Sequence, residues 1–386
     1  MRSTRWELWL CYASMISLAA AASITPVYLT TFSATFGGSR GLTDEQLGRI
    51  PAVLFASFML SILVTGPLAD RWGAKRFVLA GHVLIITGIA ALAGSVSYEM
   101  ILISVGILGF GAGCLDMVLS PIVAALRPAK RASAMNWLHS FYCTGSFVTV
   151  MIASECLRWN VSWRLVCGVL TLLPLFVFLG FLPARLPPIL HKDHDREPVV
   201  SLLRRKHLLA ALLIIFLAGG TEMSMAQWLP AYAERVLGFT KSLSGNGLAV
   251  FFVGMALGRI LIASAGNRFT SPQLLGFGAH SSLAMLLLAV LAPNPWVALA
   301  ACTSLGFTVS WLWPTTLAMT ADRSPHGGAT MFAMLGVCGN AGCFVMPWIV
   351  GFVADRTSLR YGIMAILACP IVMISLLFWK GLRSDR

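Results

Sequence analysis

The run GPLADRWGAKR, residues 66–76, is a basic turn between two long apolar stretches, and GRILIASAGNR at 258–268 answers it at an offset of 192. In the first copy Gly66 and Gly73 permit close helix approach and a tight turn. Asp70 can cap a helix end or pair with a base, and Arg71, Lys75 and Arg76 load the loop with positive charge. In the second copy the first glycine and the last arginine persist, while Ile262 replaces Asp70. Two shorter echoes are both spaced by 197: GSFV at 145–148 with GCFV at 342–345, and GF at 109–110 with GF at 306–307. Half of the 386-residue chain is 193 residues, so the sequence reads as one unit written twice.

Each unit is made for lipid. Hydrophobic residues form 58% of the chain and charged residues 11%, against about 25% charged in soluble proteins. Roughly 20 apolar residues cross a bilayer. Twelve such segments lie near 8–32, 46–69, 76–96, 98–126, 132–156, 162–182, 207–234, 242–264, 271–292, 295–320, 328–353 and 359–379. Backbone polar groups have no water to bond inside a membrane, so these segments must be helices. The expected fold is an all-α membrane protein of twelve transmembrane helices in two pseudo-symmetric six-helix bundles. Residues 1–182 form the first bundle, 183–206 a cytoplasmic linker and 207–386 the second. Parallel repeats of this kind place a substrate site midway between them.

The net charge of +13 is not a nucleic-acid footprint, because most Lys and Arg fall in loops on one side. That bias puts both termini in the cytoplasm and points to a multi-pass protein of a bacterial inner (plasma) membrane, with lipid as its surroundings. The linker alone holds six basic residues, and His191 and His194 within it read as solvated rather than metal-binding. MRSTRWELWL and the Ala-rich run after it mimic a cleavable signal. Cleavage would leave eleven spans and send the basic linker outside, so an uncleaved first span is expected. The nine cysteines all lie in apolar segments without a C-x-x-C pair, and read as packing residues. No metal and no cofactor is expected.

Polar residues inside the spans are the functional candidates. Asp116, in GCLDMVLSP at 113–121, stands in about thirty residues without another charge. Leaving it ionised at the bilayer centre costs roughly 2.5–3.5 kcal/mol. Protonating an ordinary carboxyl at pH 7 costs roughly 4 kcal/mol, at 1.36 kcal/mol per unit. The two are close enough for surroundings to switch the group. Ser120 shares its face. On the fifth span Asn136, His139, Cys143 and Ser146 make a stripe at spacings of 3, 4 and 3. On the tenth, Ser304, Thr308, Trp311 and Thr315 make another, with Trp313 about 200° from Trp311. On the first, Ser17, Thr25 and Tyr28 share a face, and Pro26 lets the helix bend. Glu222 is the second membrane acid. Gln227 sits about 140° round from it, and Trp228 offers a flat face suited to a sugar ring. Asn246 and Asn340 are further candidates, whereas His82 and His280 read as structural and Glu155 with Arg158 as a local gate or surface pair.

GPLADRWGAKR closely matches the loop between the second and third helices of the major facilitator superfamily. That resemblance makes Gly66, Asp70, Arg71, Gly73 and Arg76 a conformational latch between halves. Within the superfamily the chain resembles the fucose–hexose–proton symporter group through three stretches. GCLDMVLSP looks like that group's Gly-x-Leu-acid-x-x-x-Asn-Pro pattern, with Asp116 at the acid and Ser120 in place of Asn. NWLHSFYCTGSF at 136–147 looks like its Asn-x-Leu-His-x-Phe segment, supplying Asn136, His139 and Tyr142. GGTEMSMAQWLPAY at 219–232 looks like its Gly-x-Glu-x5-Trp segment, supplying Glu222 and Trp228. A monomer is the family expectation.

The reading that follows is a secondary active transporter carrying a small polar solute, such as a sugar or sugar derivative, with protons by alternating access. Asp116 and Glu222 would couple the proton, with sodium as the other candidate ion. Tyr28, Asn136, His139, Tyr142, Glu222, Gln227, Trp228, Asn246, Trp311 and Asn340 would contact the solute. The alternative is a proton-antiport exporter of drugs or lipids, for which the many Met and Phe residues would line a greasy cavity. A receptor or scaffold without flux is a third class, but the chain lacks the long soluble appendages it would want. No phosphate loop, metal cluster or nucleophile–base spacing marks an enzyme.

Overall fold

The computed structural model describes residues 3–127, 131–187, 199–265, 268–324 and 328–378; some side chains, those of Asp70 and Asn136 among them, lie outside the description. Five helices lead through the first half: α1 (Ser3–Phe36), α2 (Asp44–Trp72), α3 (Ala74–Ala93), α4 (Tyr98–Leu126) and α5 (Arg131–Arg158). The sixth span is split into α6 (Trp163–Leu170) and α7 (Leu172–Phe181). A short α8 (Val199–Leu203) leads into α9 (Lys206–Arg235), α10 (Lys241–Ala265) and α11 (Ser271–Leu291). The tenth span is α12 (Pro295–Val309) plus α13 (Leu312–Arg323), followed by α14 (Gly328–Arg356). The last is α15 (Leu359–Ala365) plus α16 (Ala368–Phe378). Among the described residues, twelve spans are long and apolar enough to cross a membrane. An even number returns the chain to the side from which it started.

Prolines set the three breaks. A proline has no N–H for the carbonyl four residues back and its ring crowds that carbonyl. Pro174, Pro314 and Pro370 therefore interrupt the ladder at Leu170, Ser310 and Ile366, where the split spans part. The breaks at Thr171 and at Ile366–Leu367 fall in the sixth and twelfth spans, at equivalent places in the two halves.

Glycine contacts repeat with the same period. A Cβ placed on Gly109 of α4 would sit 2.0 Å from the Leu54 carbonyl oxygen of α2. One placed on Gly306 of α12 would sit 2.2 Å from the Phe251 carbonyl oxygen of α10. Both partners are displaced by 197 residues. Gly145 of α5 packs on Ile16 and Ala19 of α1, and Gly342 of α14 packs on Phe216 of α9, again 197 apart. Helices in lipid pack by close backbone approach rather than by a hydrophobic drive, which is why glycine marks these seams. Gly73 adopts φ +84 between α2 and α3, a left-handed turn suited to glycine.

The halves meet most tightly at the end far from the termini. Gly48 of α2 lies against Gly351 of α14, where a Cβ on Gly351 would be 2.5 Å from the Asp44 carbonyl oxygen. Arg235 at the end of α9 grips both carboxylate oxygens of Asp44 at the start of α2. Thr30 donates to Glu234 at 2.6 Å, and Lys241 lies 4.0 Å from the same carboxylate. Asn246 of α10 donates to Glu155 of α5 at 3.4 Å. Near the start of α14 a Cβ on Gly336 would meet nothing within 4 Å.

Candidate functional site

Three polar side chains face a space between the halves. On α4, Asp116 is about 180° round from exposed Ala125 and about 160° from exposed Met100. It therefore points away from lipid, on the side of α4 opposite the lipid-facing strip between α2 and α3. It is nonetheless only partly buried. Among the described residues it makes no hydrogen bond or ion pair. On α5, His139 is about 180° from lipid-facing Val148 yet exposed. On α10, Arg259 is about 180° from lipid-facing Val250, and its side chain is 28% exposed. Exposure on the face turned from lipid is exposure to an internal chamber.

Arg259 is the hub of this chamber, and it is absent from the candidates that the sequence yields. Its Nε donates to the Ser310 carbonyl at 3.3 Å. That carbonyl is open because residue 314 is a proline and cannot donate back to it. Its Nη1 donates to the Cys143 thiol of α5 at 3.4 Å, joining the two halves. Its Nη2 lies 4.0 Å from Glu222 Oε1, whose side chain is only 9% exposed. His139 and Tyr142 lie within electrostatic reach of the same guanidinium. The available signal is a lone arginine between Lys241 and Arg268. It lies inside the apolar stretch 242–264 and in the span Lys241–Ile262.

The other candidates separate into groups. Gln227 faces the opposite way from Glu222, as their 140° spacing requires. Its Nε2 reaches the Ala22 carbonyl of α1 at 3.5 Å, and its Oε1 is buried without a partner. Pro26 opens that carbonyl just as Pro314 opens Ser310. Tyr28 is buried and donates to Ala153 at 3.4 Å. Trp228 is fully buried, with its indole N–H donated to the Pro347 carbonyl at 2.9 Å. Asn246 belongs to the seal at the far end, and Asn340 donates to Gly336 of its own helix at 2.9 Å. The side chain of Asn136, and the linker histidines His191 and His194, lie outside the described residues.

Trp311 is the candidate that the fold turns elsewhere. Its Nε1 donates to the Leu274 carbonyl of α11 at 3.0 Å, and its ring stacks on Phe277. Thr308 of the same stripe meets Ser282 of α11 at 2.9 Å. Thr308 and Trp311 of the tenth-span stripe thus lie at a seam with a neighbouring helix. Trp313, on the other side, lies against Gly219 of α9 and Gly339 of α14.

In the stretch 66–76, Gly66 lets α2 approach Met117 of α4, whose Cε would lie 3.0 Å from an added Cβ. Arg71 and Arg76 are exposed and make no hydrogen bond or ion pair among the described residues. Lys75 ties the turn to the carbonyls of Leu182 and Ala184, both at 2.8 Å.

The profile described as Major Facilitator Superfamily matches residues 10–249 and 236–385. The chain belongs to this superfamily. A protein of Helicobacter pylori named as a putative glucose/galactose transporter is 24% identical over 366 residues, covering 89% of each chain. A crystal structure of the E. coli fucose:proton symporter, FucP, aligns over all of both chains, with TM-score 0.66 and 20% identity. A D-xylose-proton symporter aligns over 97% of each chain, with TM-score 0.80 and 12% identity. The superfamily is one of transporters, not enzymes, and this member is an integral multi-pass membrane protein.

Proposed function

We propose that this protein is a proton-coupled symporter of a small polar solute in a bacterial inner membrane, working by alternating access. The observation that carries the reading is Asp116, a partly exposed carboxyl on the face of α4 turned from lipid, without a counter-charge among the described residues. Such a group can exchange a proton without first breaking a contact. When it is neutral, moving it through the low-dielectric seam costs less than moving an ion. The loaded carrier can then rock; at the cytoplasmic side the proton and solute leave and the empty carrier returns. Glu222 is the second coupling acid, and the sugar–proton symporters among the structural neighbours accord with this cycle.

The rocking units are residues 1–182 and 207–386, joined by 183–206. With the termini in the cytoplasm, the seal of Asp44, Arg235, Glu234 and Lys241 closes the outer side and the chamber opens inward. Polar and charged walls at Asp116, Arg259 and His139 favour a polar solute over an apolar drug or lipid, since apolar cargo would strip water from them without replacing it.

Purified protein in vesicles is expected to accumulate at least one sugar or sugar derivative under an imposed pH gradient, and to stop when the gradient is dissipated. A sodium gradient alone should drive nothing. Accumulation indifferent to pH removes the proposed coupling, and drug extrusion without solute uptake favours an exporter.

A further inference from the structure

Among the described residues, the guanidinium of Arg259 is held in place but only partly satisfied. Five N–H donors radiate from an arginine. Here one is taken by the Ser310 carbonyl and one by the Cys143 thiol, both uncharged acceptors. The Nη2 edge looks towards Glu222 at 4.0 Å, beyond the 2.7–2.9 Å typical of a charge-assisted hydrogen bond. The acid sits behind, nearly enclosed, while the guanidinium stands at the water. His139 adds a second exposed nitrogen-bearing side chain on the opposite half, within electrostatic reach.

We propose that the transported solute carries a carboxylate and that Arg259 binds it through its Nη edge, displacing Glu222 as counter-ion. This deepens the symport reading and rests on it. A planar guanidinium fork matches a carboxylate through two parallel hydrogen bonds. The aromatic platforms that would hold a neutral sugar ring are spent elsewhere, Trp228 on the Pro347 carbonyl and Trp311 on α11. Charge is conserved in the exchange. The empty site holds one guanidinium and one carboxylate; the loaded site holds the guanidinium, a protonated Glu222 and the solute carboxylate. One proton and one monoanion thus enter together at this site. Ser310 and Cys143 fix the fork at the junction of the halves, so the anion is bound where tipping of the bundles is felt.

The test is thermal unfolding of the full chain in detergent with D-glucuronate, D-galacturonate and D-gluconate, each against its neutral parent sugar. A ligand that binds the folded state raises its apparent Tm by mass action. At least one acid should raise Tm where its parent does not. Arg259→Gln should abolish that rise, and Arg259→Lys should retain part of it because the charge survives without the fork. Glu222→Gln, which removes the internal competitor, should tighten acid binding by about tenfold; it stands as the readout if Arg259→Gln does not fold. Equal shifts with acids and parents, no shift with any acid, or an acid shift that survives in Arg259→Gln would each overturn the proposal. Gradient-driven uptake of a neutral sugar, intact in Arg259→Gln, would overturn the carboxylate while leaving symport standing. Acid-specific binding without gradient-driven uptake would remove symport and keep the carboxylate.

Discussion

Asp116 of α4 and Glu222 of α9 are both acids within membrane spans, one in each half, and the structure treats them differently. Asp116 has no partner among the described residues and is partly exposed on the face turned from lipid, whereas Glu222 is nearly enclosed and faces a cation 4.0 Å away. A carboxyl without a counter-charge gains or loses its proton with little rearrangement. A paired one does so only by loosening the pair, so its protonation is tied to whatever replaces it on the cation. The first suits a proton carrier, and the second suits a sensor of solute. The attraction in the pair lies between about 1 kcal/mol in water and about 4 kcal/mol at an effective dielectric near 20. The half-open site puts it between those limits.

The largest effect should come from breaking the paired side. Arg259→Gln leaves Glu222 enclosed without its cation, and stripping one member from a buried pair typically costs about 3–5 kcal/mol. Solute uptake should fall at least a hundredfold, as roughly 2.8 kcal/mol would give, and the Tm should drop. Restoring neutrality with Arg259→Gln plus Glu222→Gln should recover stability but not transport. If the double variant is no more stable than Arg259→Gln, the two groups do not act as a pair.

A smaller effect is expected at the far end, where the comparison concerns state rather than chemistry. Asp44→Asn weakens the clamp of Arg235 on α2. Partly exposed pairs are worth about 1 kcal/mol or less, so the ratio of closed to open far ends should shift by about fivefold. Spin-label distances between the start of α2 and the end of α14 would report it. An unchanged distance distribution would assign the seal to the Gly48–Gly351 contact instead.

The smallest effect should follow Trp311→Phe. It loses one hydrogen bond to the Leu274 carbonyl, worth about 1 kcal/mol, and should leave uptake close to normal. Loss of uptake without loss of stability would return Trp311 to the solute.

These outcomes bear on which features the sequence could disclose. The 197-residue echoes, glycine by glycine, are real backbone contacts: Gly109 on Leu54 and Gly306 on Phe251. Apolar runs and glycine spacing are legible because lipid and close packing constrain them directly. The polar stripes are ambiguous for a physical reason. A hydroxyl or indole N–H in a span needs a partner, and a neighbouring helix supplies one as well as water does. Thr308 and Trp311 find α11. Arg259 is hidden because it is a single base within the apolar stretch 242–264, and its companion Glu222 lies on a different span. The prolines offer the missing clue. Pro26 and Pro314 each leave a carbonyl four residues back without its helical donor, at Ala22 and Ser310. Those two oxygens accept from Gln227 and Arg259.

The unpaired acid is the more consequential of the two, and Asp116→Asn in reconstituted vesicles tests it most directly. Wild-type protein and variant are compared for accumulation driven by a pH gradient and for exchange of labelled against unlabelled solute without one. The variant is expected to lose accumulation and to keep exchange, because a permanently neutral side chain lets the loaded carrier rock while removing its link to the proton. Gradient-driven accumulation by the variant at the wild-type level would contradict the account.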